Sequence, residues 1–558
     1  MRSMLTLIVL TILGHACNKN EVLETKRPNI LLILADDLGY TDLGCLGGEI
    51  RTPNLDGLAA EGILATSFYT SPVCSPTRAM LLTGVDNHRC GYGTMEGDWA
   101  PNQVGLRGYE GHLNFDVVPV SQLLQEAGYH TSIAGKWHQA YPAVDSTLWP
   151  DKRGFARSFT LLQGGAGHFE DMQLLFSFYN ESLYVEDGRK LDSLPDGFYS
   201  TDFYAEKAID YIEESVNRRK PFFAYLAFTA PHWPLQVPET DLDLYSGVYD
   251  QGYEDIGVER IERAKDLGII PKQVSPPPRS PNVKPWMDLT PGEKRRSSRA
   301  MEIYAAMVER MDQAIGRVLN YLKTRELYEN TFIVFLSDNG AEGNNVLGIL
   351  DTEAWVNENC DTSFQNMGRT NSYVFTGPSW AQVSSPQRWY KGFASEGGVR
   401  SPVIIRYPWS LESGVYDGVL SVMDLAPTIL DLIEVKHPAD SDPESPFYPI
   451  DGKSMLPWLQ GMQTEVRKQE EAFCWELYGR KGVRKGRWKA EWIEEPYGKN
   501  RWELYDLQSD PLQLQELSAY QPDKLLELSK DWEQYAQDKE ITLPNKKVAY
   551  GEEVYWSN

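Results

Sequence analysis

The sequence has little basic charge for its length. Its 558 residues include 54 lysines and arginines against 79 aspartates and glutamates, which gives a net charge of −25 at pH 7. This balance argues against a nucleic-acid partner and against a polybasic patch that binds membranes. Because an acidic protein also repels anionic ligands at long range, any site for an anion has to be a local cationic pocket.

Cysteine is also scarce, with six residues in the whole chain. Cys17 and Cys74 lie in motifs that are treated below. The other four have spacings that match no zinc-binding pattern, and they allow three disulfide pairings or four free thiols: Cys45, Cys90, Cys360 and Cys474. We find no internal repeats.

The chain begins with a short apolar run that is too short to span a bilayer as a mature helix. Arg2 precedes this run at 4–13, and small residues follow it, so residues 1–17 are predicted to be a signal peptide. The terminal Cys17 resembles the lipidation site of a bacterial lipoprotein, although Gly14 and His15 depart from that pattern. Ordinary secretion, with Cys17 removed or free, is the alternative. We expect an exported protein of the bacterial periplasm or cell surface, with a lipid anchor at Cys17 as its membrane contact.

The length of the chain favours two domains. We predict a catalytic domain over 18–436 and, after a linker rich in Pro, Asp and Ser at 437–449, a C-terminal subdomain over 437–558. In the first domain strands and helices alternate, which predicts an α/β fold with a large, mixed and mostly parallel sheet flanked by helices. Strands at 471–477, 482–492 and 501–505 and a helix at 525–537 predict a smaller α+β unit built on an antiparallel sheet.

Buried strands and amphipathic helices can be located by their periodicity. We predict strands at 30–35, 129–134, 222–228, 332–336 and 403–407, and helices at 52–62, 117–127 and 203–216. A further helix begins after Thr290, with Pro291 at its first position and an apolar stripe along one face. Residues 239–289 are predicted to be irregular, and 341–390 to form a long loop.

Polar side chains follow four of these strands, at the points where the strands end. Parallel strands present their carboxyl ends at one edge of a sheet, where open α/β folds bind their ligands. One such residue is commonplace, whereas four groups at one edge indicate a site. They are Asp36 and Asp37, Lys136 and His138, His232, and Asp338 and Asn339.

Three carboxylates and one amide oxygen from this set form a group of hard oxygen ligands. Asp36, Asp37, Asp338 and Asn339 include no soft ligand, so they favour Ca²⁺ over zinc, with Mg²⁺ as the second choice. In the alternative interpretation each acid caps a helix or a turn. Taken as a set, these four residues on two strand ends favour the metal site.

Cys74 lies between two prolines and just before a short helical stretch that Gly84 ends. The beginning of a helix favours negative charge, so this position suits a thiolate, an oxyanion or an anionic substrate. Arg78 lies four residues later on the same helical face. A buried cysteine in a Pro-flanked turn is the alternative.

The stretch Cys74-Ser-Pro-Thr-Arg78 resembles the signature of the type I, formylglycine-dependent sulfatases of the alkaline-phosphatase-like superfamily. Other stretches share the resemblance over nearly the whole chain: 27–37, 135–138, 231–232, 337–340 and 391–398. Three more resemble a bacterial arylsulfatase-like subgroup, namely 91–95, 108–111 and 369–373. Where family members commonly continue Gly-Lys-Trp-His with Leu-Gly, this chain has Gln139-Ala140.

The resemblance implies that a maturation enzyme oxidises Cys74 to formylglycine, whose hydrate has two hydroxyls on one carbon. By the same resemblance, residue 74 also contacts the calcium ion, and Lys136 and His138 contact the hydroxyls. His138 is the candidate base for sulfate release. His232 and Lys391 are implied to hold the sulfate and assist the leaving oxygen, although a packed core histidine is the alternative for His232.

We therefore expect a sulfuric ester hydrolase that acts on a sulfated sugar, as an exo enzyme, or on an aryl sulfate. His168, Trp475 and Glu476 are candidates for substrate binding at a mouth lined by the C-terminal subdomain and 341–390. A phosphate or phosphonate monoester hydrolase of the same superfamily is one alternative. A non-catalytic lipoprotein that binds sulfated glycans is the other.

Overall fold

The computed structural model describes residues 27–349, 352–409 and 413–547. The predicted signal peptide and Cys17 therefore lie outside the described residues. Within these ranges, no helix is both long enough and apolar enough to cross a membrane.

Fifteen strands are present in the described ranges, and they form two sheets. The strands are β1 (Asn29–Ala35), β2 (Ile63–Tyr69), β3 (His130–Lys136), β4 (Arg157–Leu161), β5 (Tyr184–Glu186), β6 (Arg189–Lys190), β7 (Phe222–Ala227), β8 (Thr331–Ser337), β9 (Arg400–Arg406), β10 (Gly414–Tyr416), β11 (Leu420–Ser421), β12 (Ala472–Leu477), β13 (Arg480–Lys485), β14 (Trp488–Ile493) and β15 (Arg501–Asp506).

The α-helices of the same ranges differ widely in length, from single turns to the 34 residues of the longest. They are α1 (Pro53–Glu61), α2 (Cys74–Thr83), α3 (Val120–Glu126), α4 (Ser200–Asn217), α5 (Tyr253–Asp266), α6 (Pro291–Thr324), α7 (Thr352–Asn359), α8 (Gly377–Ser384), α9 (Glu396–Val399), α10 (Leu425–Leu432), α11 (Pro438–Ser441), α12 (Leu456–Leu459) and α13 (Pro522–Asp538).

The large sheet confirms the predicted fold class. Its eleven described strands follow the order β10-β2-β9-β8-β1-β7-β3-β4-β5-β6, with β11 beside β2. Six of the ten pairings between these strands are parallel and four are antiparallel. The central strands β8, β1, β7 and β3 are mutually parallel, so their carboxyl ends meet at one edge of the sheet.

Helices cover both faces of this sheet because its central strands are apolar on both sides. In β1 every residue is buried, and alternate side chains enter different cores. Leu31 and Ile33 pack with residues of α1, α4 and α6. Leu32 and Leu34 pack with residues of α2, α3 and α10 on the opposite face. A strand with two apolar faces is stable only between two such layers.

Helix α6 begins as its sequence predicts. The hydroxyl of Thr290 accepts a hydrogen bond from the backbone N–H of Glu293, whose side chain accepts one from Thr290 in return. This capping box satisfies two backbone donors that the helix leaves unpaired. Its predicted stripe is fully buried, at Ile303, Met307, Met311, Ile315, Val318 and Leu322.

One prediction of local structure before residue 437 was wrong, and some strands there were not predicted. The segment at 239–289 contains α5, whose buried face includes Arg260 paired with Asp42 and Glu49, so charge conceals its periodicity. Strand β2 was not predicted, and it lies between β9, β10 and β11. The segment at 341–390 is mostly loop, as predicted, but it also contains α7 and α8.

The smaller sheet is antiparallel, as predicted, and has the order β12-β13-β14-β15. Helix α13 packs on it through Leu528 and Trp532. Residues 482–492, which were predicted as one strand, instead lie in two strands, β13 and β14, that form a hairpin. Gly486, in the turn between them, has a φ of +59°, a conformation that favours glycine.

The described cysteines are all free thiols, which decides between the alternatives that the sequence left open. Cys90 and Cys474 are buried, whereas Cys45 and Cys360 are partly buried. None of these four residues lies in the cluster of acidic and basic side chains that follows the central strands.

Candidate active site

The four polar strand ends meet at one edge of the large sheet. Asp36 and Asp37 follow β1, Asp338 follows β8, His138 follows β3 and His232 follows β7. All five side chains are at least nine-tenths buried. Both Asp37 and His138 adopt positive φ angles, at +66° and +51°, which residues other than glycine rarely adopt. Such backbone strain concentrates at functional sites.

Two lysines contact two of the acids in this cluster. Nζ of Lys136 lies 2.9 and 2.8 Å from the two carboxylate oxygens of Asp36. Nζ of Lys391 lies 2.9 Å from Oδ2 of Asp37 and 3.3 Å from the carboxylate of Glu342. Burial raises the pKa of Asp36 well above its usual value. Burial acts in the same direction on Asp37, but Lys391 and His232 lower its pKa to about 2.

Arg78 fixes the acid at the end of β8. Its Nε and Nη2 donate to Oδ2 of Asp338 at 2.9 and 2.7 Å, and its Nη1 donates to the carbonyl oxygen of Lys136 at 3.1 Å. The other oxygen of Asp338 accepts from the backbone N–H of Asp37 at 3.2 Å. The arginine therefore joins the ends of β3 and β8 on either side of β1 and β7.

Asn339 has a buried oxygen that lacks a partner among the described residues. Its amide nitrogen donates to Asp37 at 2.7 Å and to Gly340 at 2.8 Å, whereas its Oδ1 accepts no hydrogen bond. Buried polar atoms are rarely left unpaired. The orphaned oxygen and the carboxylates of Asp36, Asp37 and Asp338 are a donor set that fits a hard divalent cation.

Cys74 is the first residue of α2 and lies over this cluster. One ligand atom from each of Cys74, Asp36 and Asp338 lies within 4.8 Å of the others, and His232 forms a similar group with Asp36 and Asp37. Burial by itself raises the pKa of the thiol, but Lys136, His138 and Lys391 oppose it and lower the pKa to about 7. The helix ends at Gly84, which has a φ of +70°, as the sequence predicts.

His138 connects Cys74 to a carboxylate that the sequence did not identify. Its Nδ1 lies 3.3 Å from Sγ of Cys74, and its Nε2 contacts Oε1 of Glu96. The other oxygen of Glu96 accepts from the hydroxyl of Ser75 at 3.0 Å. Burial lowers the pKa of His138, but Glu96 and Cys74 outweigh it and raise the pKa to about 9.

The second histidine has the opposite electrostatic environment. Nδ1 of His232 lies 2.6 Å from the carbonyl oxygen of Trp233, and its Nε2 lies 3.6 Å from Oδ2 of Asp37. Burial and the nearby Lys391 and Lys136 hold the pKa of His232 well below its usual value. Its Nδ1 therefore carries a proton that it donates to Trp233, and its Nε2 faces the acid cluster.

A cavity of about 830 Å³ opens above these residues. Cys74, His138, His232 and Lys391 line it. Gly348 and Ile349 from the long loop and Lys547 from the C-terminal part also contribute to its walls. The expectation that these two regions border the cavity is therefore met.

His168 does not line this cavity. It is buried behind His232, where its Nδ1 lies 2.7 Å from the hydroxyl of Ser200 and its Nε2 lies 3.1 Å from the carbonyl oxygen of His232. Burial lowers the pKa of His168 to about 4. Because both ring nitrogens contact protein atoms, the structure places His168 as a support for the segment that carries His232.

The two C-terminal candidates are also buried away from the cavity. Nε1 of Trp475 donates to the carbonyl oxygen of Ala394 at 3.1 Å. Glu476 lies 2.8 Å from Nε2 of His88, whose Nδ1 lies 2.9 Å from Asp86. Burial opposes protonation of His88, but these two carboxylates raise its pKa to about 9. Glu476 thus joins β12 to the segment after α2 and does not face the cavity.

Three acids near the site were missed by the sequence interpretation: Glu96, Asp98 and Glu342. Glu96 follows directly after 91–95, a stretch that resembles the arylsulfatase-like subgroup, and this proximity is an available signal. Glu342 lies three residues after Asn339. Asp98 had no such signal, because only the path of the loop after α2 brings it to the cavity wall.

A buried cysteine beside acids, lysines and an arginine, at the carboxyl edge of a mostly parallel sheet, agrees with a hydrolase of the alkaline-phosphatase-like superfamily. The family model described as Sulfatase matches residues 28–435, and the model described as N-sulphoglucosamine sulphohydrolase, C-terminal, matches residues 386–539. The chain belongs to the sulfatase family and is a sulfuric ester hydrolase.

Individual relatives agree with this assignment. An uncharacterized sulfatase of Schizosaccharomyces pombe is 42% identical over 95% of this chain and 97% of its own length. The arylsulfatase of Klebsiella aerogenes is 37% identical over 77% of this chain and 92% of its own length. Among solved structures, Ps i-CgsB in complex with k-i-k-neocarrahexaose has a TM-score of 0.65 at 25% identity, over 95% of this chain and 97% of that one.

Proposed function

We propose that this sulfatase uses a formylglycine made from Cys74, with a calcium ion held by Asp36, Asp37, Asp338 and Asn339. The position of Cys74 carries the proposal. Cys74 begins a helix, its sulfur lies beside the buried acids Asp36 and Asp338, and the same sulfur is 3.3 Å from a histidine that a carboxylate holds in place. A cysteine that served only to fill space would need none of these neighbours.

The chain's own side chains are suited to hold and orient the reacting groups. A formylglycine hydrate supplies two hydroxyls on one carbon, and Ca²⁺ beside it supplies positive charge that favours an attacking alkoxide. Arg78 holds Asp338, while Lys136 and Lys391 place their ammonium groups against Asp36 and Asp37. Together they form the cationic pocket that an acidic protein needs for an anion.

The two histidines are suited to different proton transfers. Nδ1 of His138 faces residue 74, and Glu96 on the opposite ring nitrogen stabilises the imidazolium that forms when the ring accepts a proton. We propose that the deprotonated ring of His138 is the base for sulfate release, whereas the protonated ring, which its raised pKa favours at neutral pH, contributes positive charge to ester binding. Nε2 of His232 faces the acid cluster beside Lys391, and we propose that this pair holds the sulfate and assists the leaving oxygen.

Formal charge favours sulfate over phosphate at this site. Five carboxylates face four cationic groups, which leaves one negative charge, and a divalent ion changes the total to one positive charge. The carboxylates are Asp36, Asp37, Asp338, Glu96 and Glu342, and the cations are Lys136, Lys391, Arg78 and a protonated His138. A sulfate monoester has one negative charge at neutral pH, so it matches this total better than a phosphate monoester dianion.

We expect a clear preference for the sulfate in matched esters. The value of kcat/KM for 4-nitrophenyl sulfate should exceed that for 4-nitrophenyl phosphate by at least about 100-fold, because the extra charge of phosphate is not balanced. Steady-state release of nitrophenol measures both values. Faster hydrolysis of phosphate, or of a phosphonate monoester, would instead support the phosphoryl-transfer alternative. Binding of sulfated sugars without hydrolysis would support the non-catalytic one.

Glu96 provides a second test, because it orients the proposed base. Glu96→Gln should lower kcat by about 10- to 100-fold with KM little changed, since neutral Gln cannot stabilise a protonated His138. Glu96→Asp keeps the charge and should recover part of the loss. Initial-rate kinetics of the three proteins give both constants. Full kcat in Glu96→Gln would remove His138 from the proposed proton transfer.

We propose a sulfated sugar or an aryl sulfate as the substrate class. The relatives named above support both, since one is an arylsulfatase and the other was crystallised with k-i-k-neocarrahexaose. The cavity above Cys74, which the proposed nucleophile lines, suits attack on a terminal or isolated sulfate group. The predicted signal peptide at 1–17 supports export of the protein, and we propose that it meets such esters outside the cytoplasm.

A further inference from the structure

We propose that the cavity above Cys74 selects sulfate esters whose alcohol part has no negative charge, and that Asp98 is the side chain that rejects anionic alcohols. This inference rests on the proposed function, because it concerns the leaving side of the same ester. It separates the proposed sulfated sugars and aryl sulfates by the charge of their alcohol part. Singly sulfated neutral compounds are accepted, and polysulfated or uronate-bearing glycans are rejected.

The floor of the cavity carries positively charged side chains. The cationic groups there are Lys391 and His138, with Lys136 and Arg78 behind them, and each of the four already contacts a carboxylate. With one divalent ion, the formal total matches a single monoanionic sulfate. A second anionic group on the substrate would therefore have to be accommodated by the walls.

The cavity wall beside these cationic groups is acidic. Asp98 lines the cavity close to Glu96, and its Oδ2 accepts a hydrogen bond from the hydroxyl of Tyr478 at 2.9 Å. No lysine or arginine among the described residues lies within 4.0 Å of its carboxylate. Burial, together with the nearby Glu96, raises the pKa of Asp98 to about 7 despite the hydrogen bond from Tyr478. Above that pH the ionised carboxylate repels an anion and accepts a hydrogen bond from a hydroxyl or an amide.

Other charged residues of the wall do not reverse this balance. Glu181 adds a further carboxylate, which Lys190 pairs at the surface. Lys547 is the other lysine that borders the cavity, and its Nζ lies 3.4 Å from the carbonyl oxygen of Glu495. Above the cationic groups and the carboxylates paired with them, the described cavity wall therefore has two further carboxylates, Asp98 and Glu181, and one ammonium group.

The outer part of the cavity is apolar and aromatic. Tyr141, Val144 and Phe178 are 42%, 70% and 49% exposed at its border, although such side chains are usually covered. Phe178 stacks on Phe176 with ring centroids 4.8 Å apart. Exposed rings of this kind suit the flat face of an uncharged ring. Aryl groups and neutral sugar rings share this property, so the outer part of the cavity fits an uncharged ring of either kind.

A pair of nearly isosteric esters tests the role of charge. We compare 4-carbamoylphenyl sulfate, which is neutral outside the sulfate, with 4-carboxyphenyl sulfate, which has one additional charge. The mature protein should prefer the amide by at least about tenfold in kcat/KM. In Asp98→Asn this ratio should fall at least about threefold, and raising the salt concentration should also reduce it.

A charge-matched control separates local repulsion from net charge. Glu206 is exposed on α4 and lies outside the cavity. Glu206→Gln removes one negative charge in the same way and should leave both rates and their ratio unchanged. Melting temperatures of the two variants establish that each is folded. A wild-type ratio near one, or a ratio that Asp98→Asn does not alter, would overturn the proposal.

Failure of the proposed function can be recognised separately. If none of these esters is hydrolysed, calorimetric titration of the folded Cys74→Ala variant still compares the Kd values of the two esters. Tighter binding of the amide ester supports the selection by charge, and equal or weaker binding refutes it. Comparing the hydrolysis of galactose 6-sulfate with that of the aryl esters shows whether the uncharged ring is a sugar or an aryl group. A preference for glucosamine 2-N,6-O-disulfate over these compounds would contradict the inference.

Discussion

Replacement of Cys74 by alanine is expected to abolish sulfate release and to leave the fold intact. The substitution removes one sulfur atom from the first turn of α2, which changes buried volume little and should cost about 1 kcal/mol of stability. If residue 74 provides the nucleophile, kcat should fall by at least about 10⁴-fold. Initial rates with 4-nitrophenyl sulfate and a thermal melt give the two results.

The matched control is Cys90→Ala, since Cys90 is also a buried free thiol but packs in a separate apolar cluster and does not line the cavity. This variant should retain its activity. Mass spectrometry of the peptide that contains residue 74 tests the modification directly in an active preparation. An unmodified thiol in every molecule of such a preparation, or full activity of Cys74→Ala, would contradict the proposed chemistry.

Removal of divalent ions should have the second largest effect. Chelation with EDTA is expected to lower kcat at least about 100-fold, and Ca²⁺ should restore it better than Mg²⁺. Without an ion, three buried carboxylates are balanced by Lys136, Lys391 and Arg78 alone. Asp36 then has a strongly raised pKa, so protons compete for its oxygens and calcium should bind less tightly as the pH falls.

Stability gives a measure of calcium binding that does not depend on catalysis. An ion that binds only the folded chain adds about 2.7 kcal/mol at 100 times its Kd, which raises Tm. Asn339→Ala removes the oxygen that lacks a partner, so it should weaken calcium binding about tenfold and reduce this rise in Tm. Activity that resists chelation, together with a Tm that calcium does not change, would exclude the oxygen site.

Much of the candidate site could be predicted because its residues follow elements with strong local signals. Asp36 and Asp338 come directly after apolar strands and His232 lies in the short segment after another, and parallel strands present these ends at one edge. Cys74 lies at a helix start that its prolines and Gly84 define. The two helix-breaking signals and the strand periodicity are properties of short segments, so neighbours in the sequence suffice to identify them.

The substrate-binding candidates show where such local reasoning ends. His168, Trp475 and Glu476 are polar or aromatic residues in suitable regions, yet the structure buries them against Ser200, Ala394 and His88. Which face of a loop or of an antiparallel strand meets the cavity depends on packing between distant segments. The same limit applies to α5, whose buried Arg260 is stable only because Asp42 and Glu49 lie opposite it.

The sequence alone determined the class of the protein and the mostly parallel sheet, and it supplied the proposed nucleophile at a helix start, the proposed set of hard oxygen ligands and the cations that accompany them. Only the tertiary structure decided that Glu96 holds His138, that Glu342 joins Lys391, that Asp98 borders the cavity and that the described cysteines are free. The physical reason is the range of the interactions. Periodicity and helix signals act over a few residues, whereas the partners of a buried charge come from loops far apart in the chain, which only the complete fold brings together.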